Sequence, residues 1–506
     1  MRVWFRYGIP FCLAAIWFSI FQPWGAFRDP DAFYHAKMAA LLWLHGPIKS
    51  FPWLDLTTLG THFADQHLLF HFVTAPFSAL FGMLPGVQIA SVLFAAALVA
   101  FSYFIFRRLS VPWPWFWTAF LAAMPALVFR LSLDKALPFA LVFFLMGLAG
   151  SALERPGWGF IAGLGFALAH GGWIVLLVCQ GLYLFGAWLF DIVVDKKSWI
   201  DLFRFRLWRV LAWTVLGVVF GLCVHPNFPQ NLWFLWVQVY KIGIATPFGR
   251  VSLGAEWNPP TLINLFSDLS FFLLTGLALI GGFLFARRPE FDRTVARRTI
   301  GFALPVGLLL SFTIKSGRVV EYLVPMATLW LAVASSLIDP ARFLAACKRA
   351  RMFCVLIIAL SLTLFILGDV NTWQNLNGKG VRSYDQFKTT MEAISKEAKP
   401  GDRVFNTNWD EFPQLFVLDD RLRYIAGLDP TFLLDENPAL SDAYTNLTMG
   451  RAPGHLYEVV HDLFHAQFVF IEVRGHASLA EELTNDKRFV LLSDDGLERA
   501  YRVQDK

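Results

Sequence analysis

Charge is what this sequence most lacks. Asp, Glu, Lys and Arg make up 16% of its 506 residues, against 56% hydrophobic types, where an ordinary soluble domain carries about 25% charge. A freely soluble globular chain is excluded and a polytopic membrane protein is expected. Cysteine is scarce too: Cys12, Cys179, Cys223, Cys347 and Cys354 lie in or beside apolar runs with no CxxC spacing. Neither a disulfide framework nor a cysteine zinc site is indicated, and the five read as core residues. Arg2 and Arg6 precede an apolar stretch that lacks a small-residue cleavage site before Gln22, so a retained first span is expected rather than a signal peptide. No repeat or low-complexity segment stands out. The net charge of +5 comes from Lys and Arg grouped between apolar runs, the pattern of retained cytosolic loops rather than of nucleic-acid binding.

What is present is a series of long apolar runs. A crossing takes about 20 apolar residues as a helix, fewer where partners bury its ends, and about eleven crossings are expected here. They lie near Trp4–Phe21, Val87–Phe106, Pro112–Phe129, Ala136–Ser151, Gly157–Ala169, Trp173–Phe190, Val210–Val224, Leu265–Phe285, Thr299–Ile314, Tyr322–Ile338 and Met352–Gly368. The fifth and seventh are short. His67–Leu84 is apolar enough to count as another, but that would invert every later loop. With it kept outside as a half-inserted helix, roughly 19 Lys and Arg fall inside, including the Lys196–Arg209 cluster, against roughly 9 outside, as cytoplasmic loops require. The N-terminus is then cytoplasmic and the C-terminus extracytoplasmic, in a bacterial inner membrane. Residues 1–368 would form the membrane domain, with a first outer loop over 22–86. Residues 369–506, where helix and strand patterns alternate after the Lys399-Pro400-Gly401-Asp402 turn, would form a soluble α/β domain.

Residues able to do chemistry collect on the outer face. Asp29-Pro30-Asp31-Ala32-Phe33-Tyr34-His35 follows the first crossing. Paired carboxylates there can hold a divalent cation or accept a proton, although Asp29 also suits a helix cap with Pro30 at the first position. Asp31, one turn before His35, is the stronger functional candidate. His62, Asp65, His67 and His71 cluster downstream as possible metal ligands, although without HExxH spacing His62 and His71 are read rather as structural, and Asp65 also suits an N-cap. Arg130-Leu131-Ser132-Leu133-Asp134-Lys135 sits between two spans, and Asp134 there either serves function or pairs with Arg130 or Lys135. Glu256 follows a Trp-rich amphipathic stretch, Asn231–Lys241, suited to the interface. Lys315 and Arg318 on the same face could hold a phosphate.

Taken together, these outer segments resemble those of the GT-C glycosyltransferases, most of all the catalytic subunit of archaeal and bacterial oligosaccharyltransferases. Asp31-Ala32-Phe33-Tyr34-His35-Ala36-Lys37 is similar to the family's first-loop Asp motif, and Val128-Phe129-Arg130-Leu131-Ser132-Leu133-Asp134-Lys135 to its second-loop pattern. Glu256 and Arg318 resemble its catalytic-loop Glu and late outer-face Arg. The resemblance implies an inverting transferase using a polyprenyl-phosphate or -diphosphate sugar donor. In that reading Asp31, Asp134 and Glu256 are catalytic, and Asp31, Asp134 and His35 hold Mn2+ or Mg2+. Arg318 and Lys315 take the departing phosphate. The family's WWDYG motif is reduced to Asn408-Trp409-Asp410-Glu411-Phe412. Trp409 and Asp410 would still meet the acceptor, which is left open between a glycan, a lipid and a protein. The alternatives are a polytopic transporter, which commonly shows repeats and midplane polar groups, and a non-catalytic envelope-glycan assembly protein.

Overall fold

The computed structural model describes residues 2–196, 198, 206–244, 254–290, 292–451 and 454–505. Parts of the expected Lys196–Arg209 cluster and of the loop between His225 and Asn264 lie outside them. The chain forms two compact units. The first gathers Met1–Pro23, Gln88–Cys223 and Gly254–Lys379. Among the described residues six helices are long and apolar enough to cross a membrane: Met83–Arg108, Trp173–Val193, Leu269–Ala286, Arg293–Lys315, Gly317–Leu337 and Arg351–Asn377. The pair Pro114–Ala122 and Pro125–Leu131 makes a seventh, bent by 64°. Pro125 cannot donate a helical hydrogen bond, and the run breaks just before it. Shorter apolar helices cover Tyr7–Phe21, Leu68–Phe81, Leu137–Ala152, Pro156–Ala169 and Trp208–Val224. Side chains such as Leu13, Ile16, Leu356 and Ile358 stand exposed, as suits surfaces solvated by lipid, and the protein is an integral membrane protein.

Two of the short helices meet backbone to backbone. A Cβ on Gly163 of the Pro156–Ala169 helix would lie 2.1 Å from Thr214 O, and one on Gly217 of the Arg206–Val224 helix 2.1 Å from Phe160 O. Gly159 and Gly221, four residues away on each helix, face the partner backbone likewise. In lipid, where no hydrophobic effect drives helices together, small residues at this spacing permit the close packing that does. Of the cysteines only Cys179 is buried, while Cys12 and Cys223 are exposed. The core reading of all five is corrected accordingly: an apolar helix in lipid has no need to turn a thiol inward.

The second unit gathers Trp24–Val87, Val224–Leu253 and Gly380–Lys506. The Arg351–Asn377 helix runs beyond Gly368, so the boundary expected at 368 falls inside the first unit. A two-stranded ribbon, β1 (Ala26–Phe27) with β2 (Arg382–Ser383), is antiparallel and joins the start of the first loop to the start of the tail. Further strands are β3 (Arg403–Asn406), β4 (Arg423–Tyr424), β5 (Phe468–Glu472), β6 (Phe489–Asp494) and β7 (Glu498–Val503). Their order is β4-β3-β5-β7-β6, with β3 parallel to β4 and β5, and β7 antiparallel to β5 and β6. Alternate residues Phe405, Val469, Ile471 and Tyr501 enter a core with Tyr444, Phe464 and Leu483, against which Leu56 of the first loop packs. The first loop is further fixed by Asp55, whose Oδ2 accepts from Arg403 at 2.8 Å and Arg423 at 2.9 Å.

Candidate active site

In the first unit the Pro125 bend delivers a buried arginine, Arg130, to the end of a short helix. Its Nε and Nη2 donate to Glu321 Oε2 at 3.0 and 2.6 Å, and its Nη1 to Glu256 Oε2 at 2.6 Å. The other Glu256 oxygen accepts from Arg318 Nη1 at 2.9 Å. Arg318 lies 3.8 Å from Glu321 and 5.0 Å over the Trp257 ring. A short turn, Ala255–Trp257, aims Glu256. Gly317 N donates to Asn258 O at 3.1 Å and fastens that turn beside Arg318. Burial by itself would raise the Glu256 pKa, but the cations of Arg318, Lys135 and Arg130 hold the carboxyl well below its usual range. His170, in the turn before Trp173, feels the opposite: burial and the same three cations push it down to about 3. Its Nδ1 accepts from Gly172 N at 2.9 Å, so this neutral ring carries its proton on Nε2.

Asp134 is buried in the left-handed region at φ +58°, and its Oδ2 accepts from Gln22 Nε2 at 2.6 Å. Non-glycine residues take that conformation sparingly, Asp more readily than most, and strain of this kind gathers at functional positions. The expected alternative of an Arg130–Asp134 pair gives way to the network above, because the bend turns the Arg130 guanidinium toward Glu256 and Glu321. Lys315 is exposed at the end of its helix.

In the second unit Asp31 opens the Asp31–His45 helix, with its N–H bonded to Asp29 Oδ1 at 3.0 Å. One turn on, His35 is buried, its Nδ1 2.8 Å from His71 Nε2, and His71 Nδ1 is 2.8 Å from Asp65 Oδ2. Asp65 Oδ1 accepts from His67 N at 3.1 Å just ahead of the Leu68–Phe81 helix, whose N-cap is His67 and not Asp65 as expected, and the Asp65 carbonyl meets His225 Nε2 at 3.0 Å. The ligand atoms of His35, His67 and His71 lie within 4.8 Å of one another. His62 is exposed, bonded to Thr61 and beside Trp233. Asp410 pairs with Arg382 at 3.0 Å, and Trp409 packs on the tail's core.

Glu256 and Arg318 are thus joined as one ion network, while Asp134 is anchored separately on Gln22. Asp31, Trp409 and Asp410 belong to the other unit. Sequence reasoning missed three members or neighbours of the network. Arg130 was weighed only as a partner for Asp134 and as part of the second-loop motif, Glu321 was given no role, and His170 was overlooked in a short turn between two spans, where a polar residue between apolar runs was the available signal.

No family model and no curated protein matches the sequence. Solved structures do match the fold. ArnT from Cupriavidus metallidurans bound to undecaprenyl phosphate aligns with a TM-score of 0.58 at 16% identity, covering 98% of this chain and 97% of that one. The Archaeoglobus fulgidus oligosaccharyltransferase in complex with Zn and sulfate gives 0.54 at 11% identity, over 98% of this chain and 73% of that one. The mycobacterial arabinofuranosyltransferase AftD gives 0.59 at 12% identity, over 100% of this chain and 42% of that one. All are GT-C superfamily members. The chain has their fold over nearly its whole length, and identities this low carry the likeness no further than the fold.

Proposed function

We propose that the protein is a membrane glycosyltransferase that moves a sugar or oligosaccharide from a polyprenyl-phosphate or -diphosphate donor to an acceptor on the outer face, with inversion. The GT-C fold supports this reading. The observation that carries it is the pair of guanidiniums, Arg130 and Arg318, brought onto one carboxylate, Glu256. Two arginines so placed offer forked donors to a phosphate. Undecaprenyl phosphate bound to ArnT makes a polyprenyl carrier the natural source of that phosphate. A cavity of about 760 Å3 in the first unit, lined by Leu262, Leu265, Leu269, Phe271, Leu364 and Leu367, is apolar enough for part of such a chain.

In this reading Asp31 takes the proton of the acceptor hydroxyl as its oxygen bonds the anomeric carbon. The bond from that carbon to the phosphate oxygen breaks, and its electron pair leaves with the carrier. Arg318, with Lys315 and Arg130, receives the developing charge. Glu256, held ionised, is unsuited to general acid work near neutral pH; it keeps the guanidiniums in place until a donor phosphate competes for them. Asp31 and Asp134 offer hard oxygen donors for Mn2+ or Mg2+, with His35 as the expected third, and such an ion would add charge at the leaving phosphate. Trp409 and Asp410 meet the acceptor, a glycan, lipid or protein. The membrane domain has about eleven crossings, counting the bent pair and four of the shorter helices. The N-terminus is cytoplasmic and the tail extracytoplasmic, in a bacterial inner membrane.

The test is transfer of labelled sugar from polyprenyl-linked donors by membranes containing the protein. Asp31→Asn is expected to lose about 100-fold or more of the transfer at unchanged expression. Equal transfer by both would remove Asp31 as the base. No transfer by the wild type from any donor would favour the transporter or assembly alternatives.

A further inference from the structure

We infer that His35, His67 and His71 form a site for a borderline transition-metal ion of the Zn2+ class, which goes beyond the transferase reading and removes His35 from its hard-cation set. His67 and His71 are four residues apart at the start of the Leu68–Phe81 helix and therefore share a face. His35 comes from the Asp31–His45 helix, its ring 4.9 Å from His67 and 5.1 Å from His71. Nitrogen-only donors of this kind suit Zn2+, Co2+ or Ni2+ and not Mg2+ or Ca2+.

The surroundings are those of a built site. Asp65 Oδ2 accepts the His71 Nδ1 proton at 2.8 Å, which leaves the His71 Nε2 lone pair to point at His35. This is the carboxylate–histidine arrangement that orients a metal ligand. Asp65 is itself buried and held from two sides, by His67 N and by His225, whose Nδ1 accepts from Asn227 N at 3.1 Å. Zn–N bonds of 2.0–2.1 Å set tetrahedral ligand atoms about 3.3 Å apart. The His35–His71 pair, at 2.8 Å, must open by about half an ångström, and the widest pair, within 4.8 Å, must close by about 1.5 Å. Small side-chain rotations supply both. His35 and His71 are buried whereas His67 is half-buried, so the ion would be reached from the His67 side. Three protein ligands leave a fourth position for water or substrate. The ion would pin the two helices together one turn from Asp31.

The experiment uses the full chain in detergent, stripped with a chelator and titrated with Zn2+ and Co2+. Expected are one tightly held Zn2+ per chain by elemental analysis, a visible d–d spectrum with Co2+, and a rise in thermal midpoint with Zn2+ but not with Mg2+. His67→Ala, whose partly exposed side chain can go without unfolding the protein, should abolish the Co2+ spectrum while its metal-free midpoint stays near wild type. Asp65→Asn should weaken binding about 10–100-fold. Equal Zn2+ uptake by wild type and His67→Ala, or none by either, would overturn the site and leave Asp65–His71–His35 as a hydrogen-bonded chain. Every readout is independent of sugar transfer, so this inference and the transferase reading can fail separately.

Discussion

Truncating Arg130 would strand Glu321, which is 1% exposed, with its nearest remaining cation 3.8 Å away on Arg318. An uncompensated buried charge costs about 3–5 kcal/mol. Arg130→Ala is therefore expected to lower the unfolding midpoint in detergent sharply, while the double change Arg130→Met with Glu321→Met recovers most of it. If the single variant melts like wild type, the pair is not buried as described. Glu411 offers a second test. It is fully buried, accepts from Thr407 Oγ1 and Asn408 N at 2.9 Å each, and burial pushes it from 4.5 to about 8. The folded state holds this proton more tightly than the unfolded one. The stability it contributes is therefore complete below the unfolded value of 4.5 and is lost as pH rises through about 8. Glu411→Gln, which keeps a neutral group there, should flatten the fall in unfolding midpoint between about pH 4.5 and 8; an unchanged slope would assign that fall elsewhere. The sequence showed which residues had chemistry to offer, since charged and imidazole groups stand out among apolar runs. It did not show their pairings. Arg130 meets Glu321 across 191 positions and His35 meets His71 across 36, separations decided by helix packing and not by local pattern.

Elements with a local signature were legible. The alternation of helix and strand patterns expected after the Lys399–Asp402 turn takes form in β3 at Arg403–Asn406 and β5 at Phe468–Glu472. β7 was missed, although its signal was present. Asp495-Gly496 precedes it, with Gly496 at φ +87° and its N–H bonded to Asp494 Oδ1 at 2.9 Å, a glycine whose left-handed conformation lets the chain turn between β6 and β7. Also overlooked was the four-residue glycine spacing of Gly159 with Gly163 and of Gly217 with Gly221, which explains how two helices judged short are held. Gly163→Val would drive a branched side chain into Thr214 O, and is expected to cost about 3 kcal/mol or more, beyond the usual range of mild overpacking. Gly157→Val on the same helix, where a Cβ would meet nothing within 4 Å, is the control. Similar midpoints for the two variants would refute the close crossing.

For the whole molecule, the proposed topology rests on an odd number of crossings. Alkaline phosphatase fused after the tail is expected to be active, and a green fluorescent protein at the same point dark. The reverse pattern would mean that His67–Leu84 crosses after all. Composition could announce a membrane protein with a mixed helix-and-strand tail. It could not show that the first loop is built into the same unit as that tail, because Asp55 meets Arg403 and Arg423 only after folding. The β1–β2 ribbon carries a consequence for biogenesis. Phe27 pairs with Arg382, so the ribbon cannot close until the ribosome has made everything between them. At about 5–20 residues per second, the first loop waits some tens of seconds without the tail residues it packs against. During that interval it is exposed to proteases and to quality control, and a nascent chain halted before Arg382 would never complete it.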